Sequence, residues 1–459
     1  MKQEITRFAP SPTGHLHLGG ARTALFAWLH AKASNGKFLI RFEDTDKERS
    51  KDEYVKSILS SLLWLGIEPD EPPIFQSKKE AIHQKAALQL LKSGLAYSCD
   101  CSPEQLKNMR EEQIKNKIQP KYDGFNRNNN LPHKQGNVIR FKMPQTGTTS
   151  FEDKILGSIS VQNKELDDFI ILRSDDSPTY NFCAALDDID MNISTVIRGD
   201  DHITNTLKQI NILNALNEAI PNYAHLPMVL SSDGKRLSKR DGAKDINDYK
   251  TRGYLKEALI NYLIKLGWTY KEQEIFSLRE LIEFFSISDV NSAAAKFSQE
   301  LLDFYNNHYL NSCSIDFLLE LLNKDFNLSA EFNDLPRRKE ILELMREGAN
   351  TIDELKENIN FFHENPNLTS QLFEGIELEK EIFIKLNKDL ENLDFTEKNK
   401  IDTFLKNFLE LNNLKFPQLG KPLRIILTGK SDAPSISDLL YLIGRDACLE
   451  RIQKFINIY

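Results

Sequence analysis

The sequence predicts an α/β nucleotide-binding fold, split by an insert and followed by a helical region. Three observations predict it. A strand-like Ile5-Thr6-Arg7-Phe8 runs through Ala9-Pro10-Ser11-Pro12-Thr13-Gly14 and His15-Leu16-His17-Leu18 into a helix that begins at Gly19-Gly20. A cationic loop lies far downstream, between Gly234 and Gly242, and after Tyr249 the apolar spacing is almost wholly helical.

The first helix follows from apolar residues at Ala21, Ala24, Leu25, Trp28 and Leu29, a stripe that buries one face against a sheet. Its first backbone N–H groups lack intrahelical partners and carry the positive end of the helix dipole, so an anion is favoured there. Glycine at 19 and 20 removes the Cβ atoms that would hold a base or phosphate away. His17 adds a donor; its bland alternative is a turn histidine with the glycines as caps. A strand over 38–42 and a helix over 54–65 complete the first half, the helix with apolar residues at Val55, Ile58, Leu59, Leu62 and Leu63 and a stop at Gly66.

From about 93 to 188 the pattern changes to short alternating runs, such as 138–142 and 155–161, which read as antiparallel strands. The polar stretch 126–137 reads as a flexible loop. The nucleotide-binding half resumes near 193–198. The cationic loop then brings four Lys or Arg among the six residues Lys235 to Arg240. That much like charge calls for a polyanion, although a lone basic run is more often a solvated surface loop. His17 and Lys239 stand 222 positions apart, whereas one βαβ unit needs about 30 residues, so something is inserted between the halves. The helical part shows Leu255, Leu259, Tyr262, Leu263 and Leu266, then 341–345, and finally Leu439, Leu440, Leu442 and Ile443. No internal repeat is visible.

The two separated motifs resemble the paired signatures of the class I aminoacyl-tRNA synthetases. They read His17-Leu18-Gly19-Gly20 and Arg236-Leu237-Ser238-Lys239-Arg240. Within that class FAPSPTGHLHLGGARTALF, RFEDTD (41–46), SPTYNF (177–182), VIRGDDH (196–202) and GKRLSKRDGA look like the bacterial glutamyl-tRNA synthetase family, and the likeness continues to PLRIILTG (422–429). It implies a Rossmann-type catalytic domain in two halves, 1–92 and 189–249, around an acceptor-binding insert, 93–188. A stem-contact domain, 250–320, and an all-helical anticodon-binding domain, 321–459, would follow.

The resemblance implies a glutamate–tRNA ligase: ATP-dependent activation of L-glutamate, then transfer to tRNA(Glu), with Mg²⁺ accompanying the nucleotide. A synthetase that also charges tRNA(Gln), or a tRNA-binding paralogue that has lost catalysis, are the alternatives. The latter would be expected to lose His17, Gly19 or Lys239, and all three are present. A paralogue that glutamylates a modified nucleoside lacks the anticodon-binding half, whereas this chain continues some 200 residues past Lys239. By the same resemblance Pro10, His17, Gly19, Gly20 and Arg236, Leu237, Ser238, Lys239 and Arg240 bind ATP, with His17, Gly19, Gly20 and Lys239 catalytic. Arg7, Ser11, Glu43, Tyr180 and Arg198 match the amino-acid site, where an arginine fork suits a carboxylate and Glu43 would take the ammonium. Arg41 and Glu43 read alone are strand-end surface charges, and Tyr180 a core tyrosine.

Composition is compatible with these expectations. The chain has 459 residues, too many for one core, with 40% hydrophobic and 27% charged residues. No membrane-length apolar run and no signal-peptide pattern stand in it, so the expected location is the cytoplasm, and the family implies a monomer. The net charge of −8 does not exclude tRNA, because salt screens charges beyond about 10 Å and local patches decide. Lys107, Arg110, Lys115, Lys117 and Lys121, and Arg337, Arg338 and Lys339, are the candidate patches; each is equally an ordinary solvated helix face.

Five scattered cysteines argue against a disulfide framework. In many members of the family Cys99 and Cys101 would share zinc with a Cys and a Cys or His after a Tyr-Asp-Gly string. Here Tyr122-Asp123-Gly124 is followed by Phe125-Asn126-Arg127-Asn128, so Asn126 and Asn128 stand at the ligand positions. An amide oxygen is a poor substitute for a zinc donor, and His133 fits no usual ligand spacing. The expectation is that no zinc binds and that Tyr122 fills space near the cysteines.

Overall fold

The computed structural model describes residues 3–235, 245–376 and 379–458. It divides into two compact units, 1–251 with 256–302, and 252–255 with 303–459.

The first unit is built on a parallel sheet. Strand β1 (Ile5–Phe8) continues through helix α1 (Leu18–Ala33) into β2 (Lys37–Phe42), and β2 pairs in parallel with β1 and with the short β3 (Ile74–Phe75). Between β2 and β3 lies α2 (Asp52–Trp64), which stops at Gly66 with φ +74°, a left-handed position that favours glycine. Helix α1 is buried around most of its circumference, Phe26, Ala27 and Ala31 as well as the predicted stripe. A face that reads as exposed in sequence is covered by α8 (Lys256–Lys265) and α9 (Leu278–Phe284).

Helix α3 (Glu80–Lys92) leads into the insert. There β4 (Ala96–Cys99), β5 (Val138–Phe141) and β8 (Ile170–Leu172) form the expected antiparallel sheet, with α4 (Pro103–Lys115) after β4. The second strand pair of the insert behaves differently. The hairpin β6 (Thr148–Asp153) and β7 (Gly157–Gln162) joins the nucleotide-binding sheet, because β6 pairs with β10 (Asn222–Leu226) at Tyr223 and Asp153. The polar stretch 126–137, read as a flexible loop, is tied down at both ends. Asn126 and Asn137 are buried, and Asn137 Nδ2 donates to Ser98 Oγ at 3.0 Å.

Helix α5 (Tyr180–Asp190), β9 (Thr195–Gly199), α6 (Ile203–Leu216) and β10 return the chain to the sheet, with β9 and β10 in parallel register. Ser194 joins the halves, its N–H donating to the Ile5 carbonyl at 2.9 Å while Ile5 N–H donates to its Oγ at 2.7 Å. The lateral order is therefore β3-β2-β1, then β9-β10-β6-β7. The chain leaves β1 and β9 in opposite lateral directions, and in open α/β sheets the crevice beyond the carboxyl ends at such a switch point is where ligands bind. Helix α7 (Ile246–Thr251) follows the undescribed residues 236–244.

The described part of the second unit is helical, with cores from Leu318 and Leu322, from Ile352, Leu355 and Ile359, and from Leu419, Leu423, Ile426, Leu439 and Leu440. Among the described residues no helix is long and apolar enough to cross a membrane.

Candidate active site

The carboxyl ends of β1 and β9 open into a cavity of about 410 Å³ lined by Arg7, Ser11, Glu43, Tyr180, Arg198 and His202. All five residues matched to the amino-acid site thus share one cavity. A larger crevice of about 660 Å³ lies at the opposite, amino-terminal edge near Ile5, Asn192 and Asn222. Volume does not decide between them: the motif side chains gather at the carboxyl edge, where the topology opens the sheet.

The floor of the cavity is a buried charge network. Asp188 accepts from both Nε and Nη2 of Arg7, at 3.0 and 3.3 Å, and from Arg41 Nη1 at 2.5 Å. Arg41 Nη2 donates to Glu43 at 3.1 Å. Arg41 is fully buried, so neither it nor Glu43 is the surface charge that sequence alone suggests. Burial alone would raise the Asp188 carboxyl, but Arg41 and Arg7 overrule it and hold it at about 2. For Glu43 burial wins over the same two arginines and pushes its pKa up, so an arriving cation would replace missing solvation.

Arg198 is held otherwise. Its Nη2 donates to Thr206 Oγ1 at 2.6 Å and Gln209 Oε1 at 2.9 Å, and its Nε to His225 Nε2 at 3.4 Å. All three partners are neutral acceptors, and among the described residues nothing bonds its buried Nη1. Tyr180 and His202 meet at 3.2 Å; burial pushes Tyr180 up to about 12, while burial and then the charge of Arg198 push His202 down to about 4. The cavity therefore keeps an uncompensated cation on one wall and a poorly solvated carboxylate on another.

Pro10, His17, Gly19 and Gly20 lie just outside that lining. The Pro10 carbonyl accepts from Glu43 N–H at 3.0 Å. His17 is the N-cap of α1, and its Nδ1 accepts from Gly20 N–H at 3.1 Å. This satisfies one helix donor that sequence reasoning leaves for an anion, and it fixes the neutral ring with its proton on Nε2. A Cβ at Gly20 would come within 3.0 Å of Leu16 Cδ1, and one at Gly19 within 3.3 Å of His17 Nδ1. The glycines thus serve the packing of the cap as well as ligand access. Arg236, Leu237, Ser238, Lys239 and Arg240 lie outside the described residues. Asp245, where description resumes, bridges to His17.

The cysteine cluster in the insert is held by hydrogen bonds. Asn126 Oδ1 accepts from Cys101 at 2.9 Å and Cys99 at 3.4 Å, its Nδ2 donates to Asp100 at 3.0 Å, and Tyr122 Oη stands 3.4 Å from Cys99 Sγ. Arg337 and Arg338 differ from a nucleic-acid patch. Arg337 stacks on Tyr441 at 3.8 Å and donates to the Tyr441 and Phe395 carbonyls, and Arg338 donates to the Asn333 carbonyl. In the insert, α4 buries none of its residues, which leaves Lys107, Arg110 and Lys115 on a solvated helix.

Sequence reasoning missed Asp188, His225, Asp153, Thr206 and Gln209. One signal was available: Asp187 and Asp188 interrupt a helix whose other inward residues are Phe182, Cys183, Ala184 and Ala185, and paired carboxylates on a buried face require cations.

Comparison with known proteins matches this arrangement. The catalytic-domain model of the class I tRNA synthetases for glutamate and glutamine matches residues 4–304, and an anticodon-binding-domain model matches 299–456. The glutamate–tRNA ligase of Nitrosomonas europaea is 44% identical over 467 residues, covering 99% of each chain. A protein of Coxiella burnetii named glutamate–tRNA ligase 2 is 44% identical over 470 residues, covering 100% of this chain and 98% of its own. The crystal structure of a glutamate tRNA ligase from Elizabethkingia meningosepticum in complex with its amino acid superimposes with a TM-score of 0.88 at 31% identity, covering 99% of both chains.

Proposed function

The chain belongs to the glutamate–tRNA ligases of the class I tRNA synthetases, and from that premise we propose that it activates L-glutamate with ATP and transfers it to tRNA(Glu). The observation that carries the reading is Arg198, whose buried Nη1 is unbonded among the described residues and shares one cavity with Glu43. Glutamate has a side-chain carboxylate for the first and an ammonium for the second. Its α-carboxylate then attacks the α-phosphorus of ATP, forming the C–O–P bond as the bond to pyrophosphate breaks. Negative charge gathers on the phosphate oxygens, so catalysis is positioning plus cationic stabilisation. His17 Nε2–H and the first turn of α1 meet those oxygens, and Mg²⁺ carried in with the nucleotide would supply further neutralisation of phosphate charge. In the second step the terminal ribose hydroxyl of tRNA attacks the glutamyl carbonyl and AMP leaves. No protein nucleophile is needed.

Glutamate-dependent ATP–pyrophosphate exchange, run without tRNA and with tRNA(Glu) or tRNA(Gln), tests the reading. Exchange is expected with tRNA(Glu) and to vanish without tRNA; its absence with tRNA(Glu) overturns the assignment. Charging of tRNA(Gln) with glutamate decides the alternative of broader tRNA use. Lys239→Ala is expected to lower kcat on the order of a hundredfold, about 3 kcal/mol, as for one lost transition-state contact. A raised KM for ATP at unchanged kcat would instead make it a ground-state binder.

The insert does not fit zinc. Two thiols, an amide oxygen and a phenol replace the four sulfur or nitrogen donors of a closed structural site, and Asn126 already joins both thiols by hydrogen bonds. Protein purified without chelator is expected to carry no zinc and to melt at the same temperature with and without EDTA. About one zinc per chain, lost on Cys99→Ser, would refute this.

A further inference from the structure

We propose that His225 and Asp153 form a positioning pair for Arg198, holding its guanidinium toward the amino-acid cavity without neutralising it. The inference rests on the reading of that cavity as the glutamate site. Asp153 Oδ2 lies 2.6 Å from His225 Nδ1, and both side chains are fully buried. A carboxylate only accepts, so the ring proton sits on Nδ1 and the lone pair on Nε2. That lone pair faces Arg198 Nε at 3.4 Å and Thr206 Oγ1 at 2.9 Å. The Thr206 hydroxyl can then donate to His225 while its own lone pair accepts from Arg198 Nη2 at 2.6 Å. Moving the ring proton to Nε2 would set an N–H against the guanidinium and a lone pair against the Asp153 carboxylate.

An interposed imidazole does what a direct carboxylate cannot. A carboxylate on Arg198 would cancel the charge that a substrate carboxylate must find, as Asp188 does for Arg7 in the same cavity. Asp153 is satisfied without Arg198: it also accepts from the backbone N–H groups of Ile155 and Leu156, each at 2.9 Å, and of His225 at 3.0 Å. Asp153 closes β6 of the inserted segment and pairs with β10 at Tyr223, two residues before His225. The hairpin that extends the sheet therefore contributes a residue to the amino-acid site from behind.

The test is ATP–pyrophosphate exchange by the full chain with tRNA(Glu), comparing wild type with His225→Leu, His225→Gln and Asp153→Asn. His225→Leu is expected to raise the KM for glutamate at least about tenfold, with the KM for ATP unchanged, and to weaken the preference for glutamate over glutamine. His225→Gln, whose side-chain oxygen can take the place of the Nε2 lone pair, should restore most of the loss. Asp153→Asn, which permits the other imidazole tautomer, should raise the same KM and serves if His225→Leu does not fold. A loss confined to the active fraction or kcat, at unchanged KM for glutamate and unchanged preference, assigns these residues to the scaffold and overturns the proposal. Wild type without glutamate-dependent exchange overturns the underlying reading instead.

Discussion

Arg198→Ala is expected to lower kcat/KM for glutamate by on the order of a thousandfold, about 4 kcal/mol, the range for removing one partner of a buried charge pair. The loss exceeds that of one hydrogen bond because of what remains. Thr206, Gln209 and His225 all turn oxygen or nitrogen lone pairs toward the guanidinium, and in its absence those lone pairs would face the substrate carboxylate. Use of glutamine should change far less than that of glutamate, since its neutral amide forms no charge pair with Arg198 to lose. The KM for ATP is expected to stay near its wild-type value. Equal kcat/KM for glutamate in wild type and variant would move side-chain recognition to Arg7. The structure disfavours Arg7 because Asp188 already engages its guanidinium with both oxygens.

The parts of this site legible in sequence are those set by short-range pattern. The strand-to-helix turn at Gly19-Gly20, the helix ending at Gly66 and the strand before Glu43 follow from spacing and turn residues a few positions apart. The resemblance then brings Arg7, Ser11, Glu43, Tyr180 and Arg198 to one list, and the fold brings them to one cavity. What stays hidden is set by pairing across long separations. Arg41 reads as a surface charge because its partner Asp188 is 147 positions away, and His225 and Asp153 are 72 positions apart. The joining of β6 to β10 is invisible for the same reason: alternation predicts a hairpin but not the sheet it joins. The His17 cap shows a different limit. The motif names the residue, yet only geometry shows that one of the expected anion donors, Gly20 N–H, is already taken by the histidine itself.

Asp188→Ala is expected to lower the first unfolding transition on the order of 10 °C, from about 3–5 kcal/mol lost when a buried ion pair keeps only one side. Arg7 and Arg41 are 3% and 0% exposed, so Arg41 cannot turn to water and Arg7 faces only the confined cavity. Without Asp188, Arg41 retains Glu43 at 3.1 Å and Asp187 at 4.0 Å, whereas Arg7 retains, among the described residues, a hydrogen bond of 3.5 Å to the Ile197 carbonyl. Arg7 therefore bears most of the loss, and because it lines the cavity the KM for glutamate should rise with the fall in stability. The pH dependence identifies the cause. A carboxyl lowered to about 2 from an ordinary 3.8 contributes its full stabilisation above about pH 4 and loses it as pH falls through the folded value. The difference in melting temperature between wild type and variant should thus be flat from about pH 5 to 8 and shrink only below about pH 4. Melting curves across that range decide the matter. A variant that melts with wild type at pH 7 would show that Glu43 and Asp187 alone suffice to hold both arginines. A difference that closes already near pH 6 would instead assign the effect to a group other than the Asp188 carboxyl.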